Sequence, residues 1–121
     1  MPSRQTVEAF VKLVEAGDYV VAIEQFYAPD ASTRENTSEP VVGRDALVAK
    51  ERGVMAAFSK IEAARIGPSL IDGDTVAARW KFTFTSADGS VRTLEEIAWQ
   101  NWRGEQLIEE RFFYDPRQMT S

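Results

Sequence analysis

The chain contains neither histidine nor cysteine. That removes imidazole bases, Ser-His-Asp triads, thiolate nucleophiles and disulfides from consideration. Any proton chemistry must come from Asp, Glu, Tyr, Lys, Arg, Ser or Thr. These residues gather in three stretches with period-2 patterning. In "LIEERFFYDP" (107–116) a strand would put Glu110, Phe112 and Tyr114 on one face and Phe113 on the other. In "VRTLEEIAWQNW" Glu96, Ala98 and Gln100 alternate with Ile97 and Trp99. In "TVAARWKFTFT" Arg79, Lys81 and Thr83 alternate with Trp80, Phe82 and Phe84. Two further carboxylates lie upstream. Glu35 sits in the polar segment "PDASTRENTSEPVVG", and Glu51 falls on the apolar face of a predicted helix.

If the polar members share the inner face, Arg79, Lys81, Glu96, Gln100, Glu110 and Tyr114 line a polar pocket, joined by Glu35 and Glu51. Arg79 would bind a carboxylate or enolate oxygen. Glu35 or Glu110 would move a proton, its pKa raised by burial, and Tyr114 would donate a hydrogen bond. Unpaired buried charges are costly, so Arg79 should meet Glu96 or Glu110 across strands. The outer face would then carry Trp80, Phe82, Phe84, Ile97, Trp99 and Phe113. So much apolar surface predicts a second copy of the chain packed sheet to sheet. The competing reading is a solvated face of alternating charges, with Glu95, Glu109 and Arg111 as rim ion-pair partners. The faces of strand two depend on register. A slip of one residue would exchange Arg79 and Lys81 for Trp80 and Phe82.

The elements that must position these groups are readable. Residues 3–17 predict an amphipathic helix, with Ser3 as N-cap, Val7, Phe10, Val11 and Val14 on one face, and Gly17 as the stop. Asp18 caps a short helix, "YVVAIEQFY", which Pro29 ends. The segment "PDASTRENTSEPVVG" (29–43) reads as loop with a short extended piece, and Gly43 to Lys60 as a third helix. The turn signals "DGD", "ADGS" and "RGEQ" then separate four antiparallel strands at about 61–71, 75–86, 90–102 and 106–115. Helices first and a meander second describe a single α+β domain over residues 1–121. A net charge of −5 disfavours nucleic acid and anionic membrane as partners. No apolar run is long enough to span a bilayer and no signal core opens the chain, so a cytoplasmic location is expected. No nucleotide-binding glycine motif is present and no carboxylate spacing suggests a metal, so no cofactor is expected.

Two motifs carry a family resemblance. "FVKLVEAGDYVVAIEQFYAPDAS", followed by a Gly-led helix, resembles the opening of ketosteroid isomerases and SnoaL-like polyketide cyclases. "RGEQLIEERFFYDP" resembles the ending of the same nuclear-transport-factor-like superfamily. The resemblance covers nearly the whole chain. It implies a cone, with three N-terminal helices packed in the concave face of a curved four-stranded sheet, a cystatin-like roll. It also implies a pocket inside and a dimer on the convex face. Laid on ketosteroid isomerase, Glu35 falls at the general-base position, Phe10 at the oxyanion-hole tyrosine and Ala98 at the protonated aspartate. One role of three survives. Against limonene epoxide hydrolase Arg79 is kept, while Phe112 stands at the strand-four carboxylate. The histidine of SnoaL-like cyclases is absent. The resemblance therefore implies a small-molecule enzyme of isomerase, cyclase or hydratase type working by carboxylate acid/base chemistry. Alternatives are a non-catalytic homodimeric binder of an organic acid or lipid-like metabolite, and a structural dimerisation module.

Overall fold

A computed structural model describes residues 1–120. Helix α1 (Arg4–Glu15) starts where the Ser3 hydroxyl accepts a hydrogen bond from the Thr6 amide at 3.1 Å. It stops where Gly17 turns left-handed at φ 83°, a conformation that costs glycine no Cβ clash. Helix α2 (Tyr19–Phe26) follows, then β1 (Tyr27–Glu35), β2 (Val41–Val42) and α3 (Arg44–Ala57). The rest is strand: β3 (Lys60–Arg65), β4 (Leu70–Asp72), β5 (Thr75–Thr85), β6 (Val91–Arg103) and β7 (Gln106–Phe113), closed by a 3₁₀ turn at Pro116–Met119.

The α+β class and the packing of three helices against a curved sheet are as expected, but the sheet is larger than four strands. Its order is β2-β1-β7-β6-β5-β3, with β4 also on β5. The expected first strand is broken into β3 and β4. The segment taken for loop is β1, which runs parallel to β7 and pairs Thr33 with Glu110 and Glu35 with Phe112. Pro29 explains the early end of α2, since the residue before a proline avoids helical geometry and the chain is already extended there.

Register decides what faces inward. Thr85 pairs with Val91 across the β5–β6 hairpin, which leaves five residues in the loop. Even-numbered residues of β5 therefore meet even-numbered residues of β6, and Trp80 stands opposite Glu96. A register shift after Asn101 places a bulge in β7, so that Leu107 and Glu110 both point inward. Inside the cone Val7, Phe10, Val11, Ala22, Ile23, Leu47 and Val48 of the helices pack on Val76, Ala78, Trp80, Ala98, Trp102 and Leu107 of the sheet. Burying each large apolar side chain of this set contributes about 1.5–3 kcal/mol.

This register corrects one expectation. Trp80, Phe82 and Phe84 belong to the interior and not to the convex face, and Arg79 and Lys81 are exposed outside. Arg79 reaches Glu95 at 3.8 Å across the outer surface, and not Glu96 or Glu110. The energetic reason is direct. Aromatic rings enter the core favourably, whereas two buried cations would each cost several kcal/mol without close partners. Ile97, Trp99 and Phe113 do lie on the convex face, with Trp99 46% and Phe113 42% exposed.

Candidate active site

The cone holds a cavity of about 190 Å³ that is partly open to solvent. This is below the ~300–1,000 Å³ usual for ligand sites, so it suits a small molecule or one end of a larger one. Its walls are aromatic and aliphatic: Phe10 and Tyr19 from the helices, Tyr27 from β1, Trp80, Phe82 and Phe84 from β5, and Phe112 from β7. Trp80 and Phe82 stack at 5.8 Å, and Phe82 and Phe84 at 6.2 Å, forming a continuous ring surface along β5. Four glutamates, Glu35, Glu51, Glu96 and Glu110, break this apolar lining.

Glu110 is the most constrained. It is 2% exposed, and each carboxylate oxygen has a donor. The Tyr27 hydroxyl donates to Oε1, and Gln100 Nε2 donates to Oε2 at 2.7 Å. Gln100 Oε1 in turn accepts from Trp102 Nε1 at 3.0 Å. A buried chain thus runs from indole to amide to carboxyl to phenol. Burial pushes the Glu110 pKa up to about 7, against the opposing pull of the two donors. The Tyr27 hydroxyl is itself pushed well above its usual range, first by burial and then by the adjacent Glu110.

Glu96 is different. It is 8% exposed and has no hydrogen-bond partner among the described residues. Burial, with Glu110, Glu35 and Glu51 adding like charge, pushes its pKa up to about 8. It is therefore a neutral acid near pH 7. Glu96 and the Gln100–Glu110 pair are four residues apart along β6, about 13 Å at ~3.3 Å per residue, and both reach the one cavity. Burial also raises Glu51, partly offset by Lys50. Glu35 lies toward the rim, where its two oxygens meet Tyr114 Oη at 2.9 Å and Lys50 Nζ at 3.2 Å. The Tyr114 phenol is pushed up to about 12 by burial and by this carboxylate.

Of the residues singled out from sequence, the structure gathers Phe10, Glu35, Glu51, Glu96, Glu110 and Phe112 around the cavity, with Gln100 and Tyr114 bonded to its carboxylates. Arg79 and Lys81 are excluded. Tyr27, Trp80, Phe82, Phe84 and Trp102 were missed as site residues. Trp102 shares strand parity with Gln100, a signal that was available. Tyr27 was hidden because it read as the last turn of a helix. Among the described residues no three His, Cys, Asp or Glu side chains are grouped to hold a metal, and no helix is long and apolar enough to cross a membrane.

With this geometry in place, residues 7–110 match the profile of the SnoaL-like domain. The chain belongs to the SnoaL-like domain family. Solved structures with the same fold include an NTF2-like protein of unknown function from Burkholderia pseudomallei, with TM-score 0.81, 17% identity, and 98% of this chain and 99% of that one covered. A candidate SnoaL-like polyketide cyclase from Mesorhizobium loti is 27% identical with TM-score 0.76, covering 91% of this chain and 97% of that one. TerC, crystallised with polyporic acid, is 15% identical with TM-score 0.80, covering 95% and 92%. No curated protein matches the chain.

Proposed function

We propose that this SnoaL-like domain is a small-molecule enzyme that shifts a proton between two positions of an enolisable substrate. The observation that carries this reading is the pair of buried carboxyls, Glu96 and Glu110, opening on one apolar cavity with pKa values near 8 and 7. Ionised Glu110, held by Tyr27 and Gln100, takes the proton from the carbon beside a carbonyl. Neutral Glu96 gives a hydrogen bond, or its proton, to the carbonyl oxygen as negative charge develops there. Glu110 then returns the proton to a different carbon, and isomerisation is complete. Glu96 thus takes the role of the protonated acid of ketosteroid isomerase, whose counterpart position here, Ala98, is two residues along the same inward face. That enzyme is a standard worked case of carboxyl pKa tuning. Glu35, tied to Lys50 and Tyr114, orients the rim. The stacked rings of β5 favour a flat apolar body.

A non-catalytic binder is the second reading. It is favoured by the full hydrogen-bonding of Glu110, which a purely structural buried network would also have. The apolar convex face around Ile97, Trp99 and Phe113 supports a homodimer in either case. The deciding experiment incubates the protein in heavy water with a panel of small cyclic ketones and follows deuterium entry beside the carbonyl by NMR. Wild type should catalyse exchange and Glu110→Gln should not. If no ketone exchanges above the buffer rate while ligands still bind, the isomerase reading fails and the binder stands.

A further inference from the structure

The cavity has an unbalanced charge inventory. Four carboxyl side chains line it, and Lys50 is its only cation among the described residues. Lys50 is already paired with Glu35 at 3.2 Å, in a partly exposed position at the rim. Glu96 and Glu110 therefore have no cationic partner among the described residues, and Glu51 feels Lys50 only through space. Arg79 and Lys81, which would have balanced them, are on the opposite face of the sheet. Glu96 is the informative member, since the residue is 8% exposed, lines the cavity and its carboxyl has no hydrogen-bond donor among the described residues. Beside it in the sheet stands Trp80, first of three stacked aromatic rings whose faces attract a cation.

We propose that the natural ligand carries a protonated amine on a small, flat apolar body, with the ammonium placed against Glu96 and over the Trp80 ring. This rests on the cavity being the working site named above and goes with its binder reading, because an ionised Glu96 cannot be the neutral donor that the isomerase needs. An organic acid would instead bring a negative charge into a lining whose carboxyls already raise one another's pKa by like-charge repulsion. An ammonium ion supplies the charge the lining lacks and lets Glu96 ionise, releasing its proton to solvent. Binding should accordingly strengthen as pH rises from about 6 to 8. The groups that bear on Glu96 over that range are Glu35 of β1, Lys50 and Glu51 of α3, Glu110 of β7, and the Tyr27 and Tyr114 phenols, whose pKa values lie above it.

The test uses three probes of matched size: phenethylamine, phenethyl alcohol and phenylacetate. Calorimetry gives their affinities at pH 7.5, and the indole resonance of Trp80 reports occupancy. The amine should bind about tenfold or more tighter than the alcohol, with the acid weakest. Glu96→Gln should reduce the amine's advantage to about twofold while the alcohol is unaffected. Lys81→Gln, on the outer face, should change none of the three. An acid that binds as well as the amine overturns the proposal, and so does a Trp80 resonance unmoved by all three. Preference for the amine without any proton exchange on ketones would leave this inference standing and refute the isomerase. Exchange of neutral ketones without amine preference would do the reverse.

Discussion

Replacing Glu96 by glutamine should stabilise the protein increasingly as pH rises from about 5 to 8 and leave it unchanged below that. The folded-state pKa of Glu96 is about 8 against 4.5 for the free side chain. Between those values the native chain binds one more proton at this site than the unfolded chain. Stability from this group is therefore fully present below pH 4.5 and falls by about 1.4 kcal/mol per pH unit above it, until the folded pKa is passed. Over roughly 3.5 units the ceiling is about 5 kcal/mol. Water entering from the cavity lowers this, so a difference of about 2–5 kcal/mol is expected. Glutamine has the same shape as the neutral acid and no titration. Urea unfolding of wild type and Glu96→Gln at pH 5, 6, 7, 8 and 9 should give curves that nearly coincide at pH 5 and diverge steadily, with the variant more stable at pH 9. A difference that is flat with pH would mean that Glu96 is not held neutral by burial. A wild type that gains on the variant as pH rises would mean that an unrecognised cation stabilises the carboxylate, and the charge argument for the cavity would fall with it.

Two further outcomes can be checked independently. Tyr27→Phe removes a donor that lowers the Glu110 pKa, so Glu110 should titrate above 7 in ¹³C carboxyl NMR, with a stability loss of about 1–2 kcal/mol. An unchanged or lower titration point would deny the hydrogen bond its role. Trp99→Glu puts a charge in the centre of the convex apolar face, and light scattering should record a wild-type dimer reduced to monomer without loss of helical signal. A wild type that is monomeric at high concentration would refute the interface itself.

Several features follow from local chemistry and were readable along the chain. The lack of histidine and cysteine leaves proton chemistry to Asp, Glu, Tyr, Lys, Arg, Ser and Thr. Ser3 and Gly17 bound α1 because capping and left-handed turns are properties of single residues. Glu96, Ala98 and Gln100 share a face because alternation is built into the extended backbone. Which faces combine is a different matter. Alternation within β5 says nothing about whether Trp80 or Arg79 joins Glu96. The five-residue loop after Thr85 sets that parity, and the cost of burying Arg79 and Lys81 reinforces it. The bulge in β7 that turns both Leu107 and Glu110 inward is likewise a product of pairing and not of pattern. The Tyr27–Glu110 bond joins residues 83 positions apart, through a parallel pairing of β1 with β7 that no local signal records. The raised pKa values of Glu96 and Glu110 depend on how much water the assembled cone excludes, so they exist only once the whole chain has closed around them.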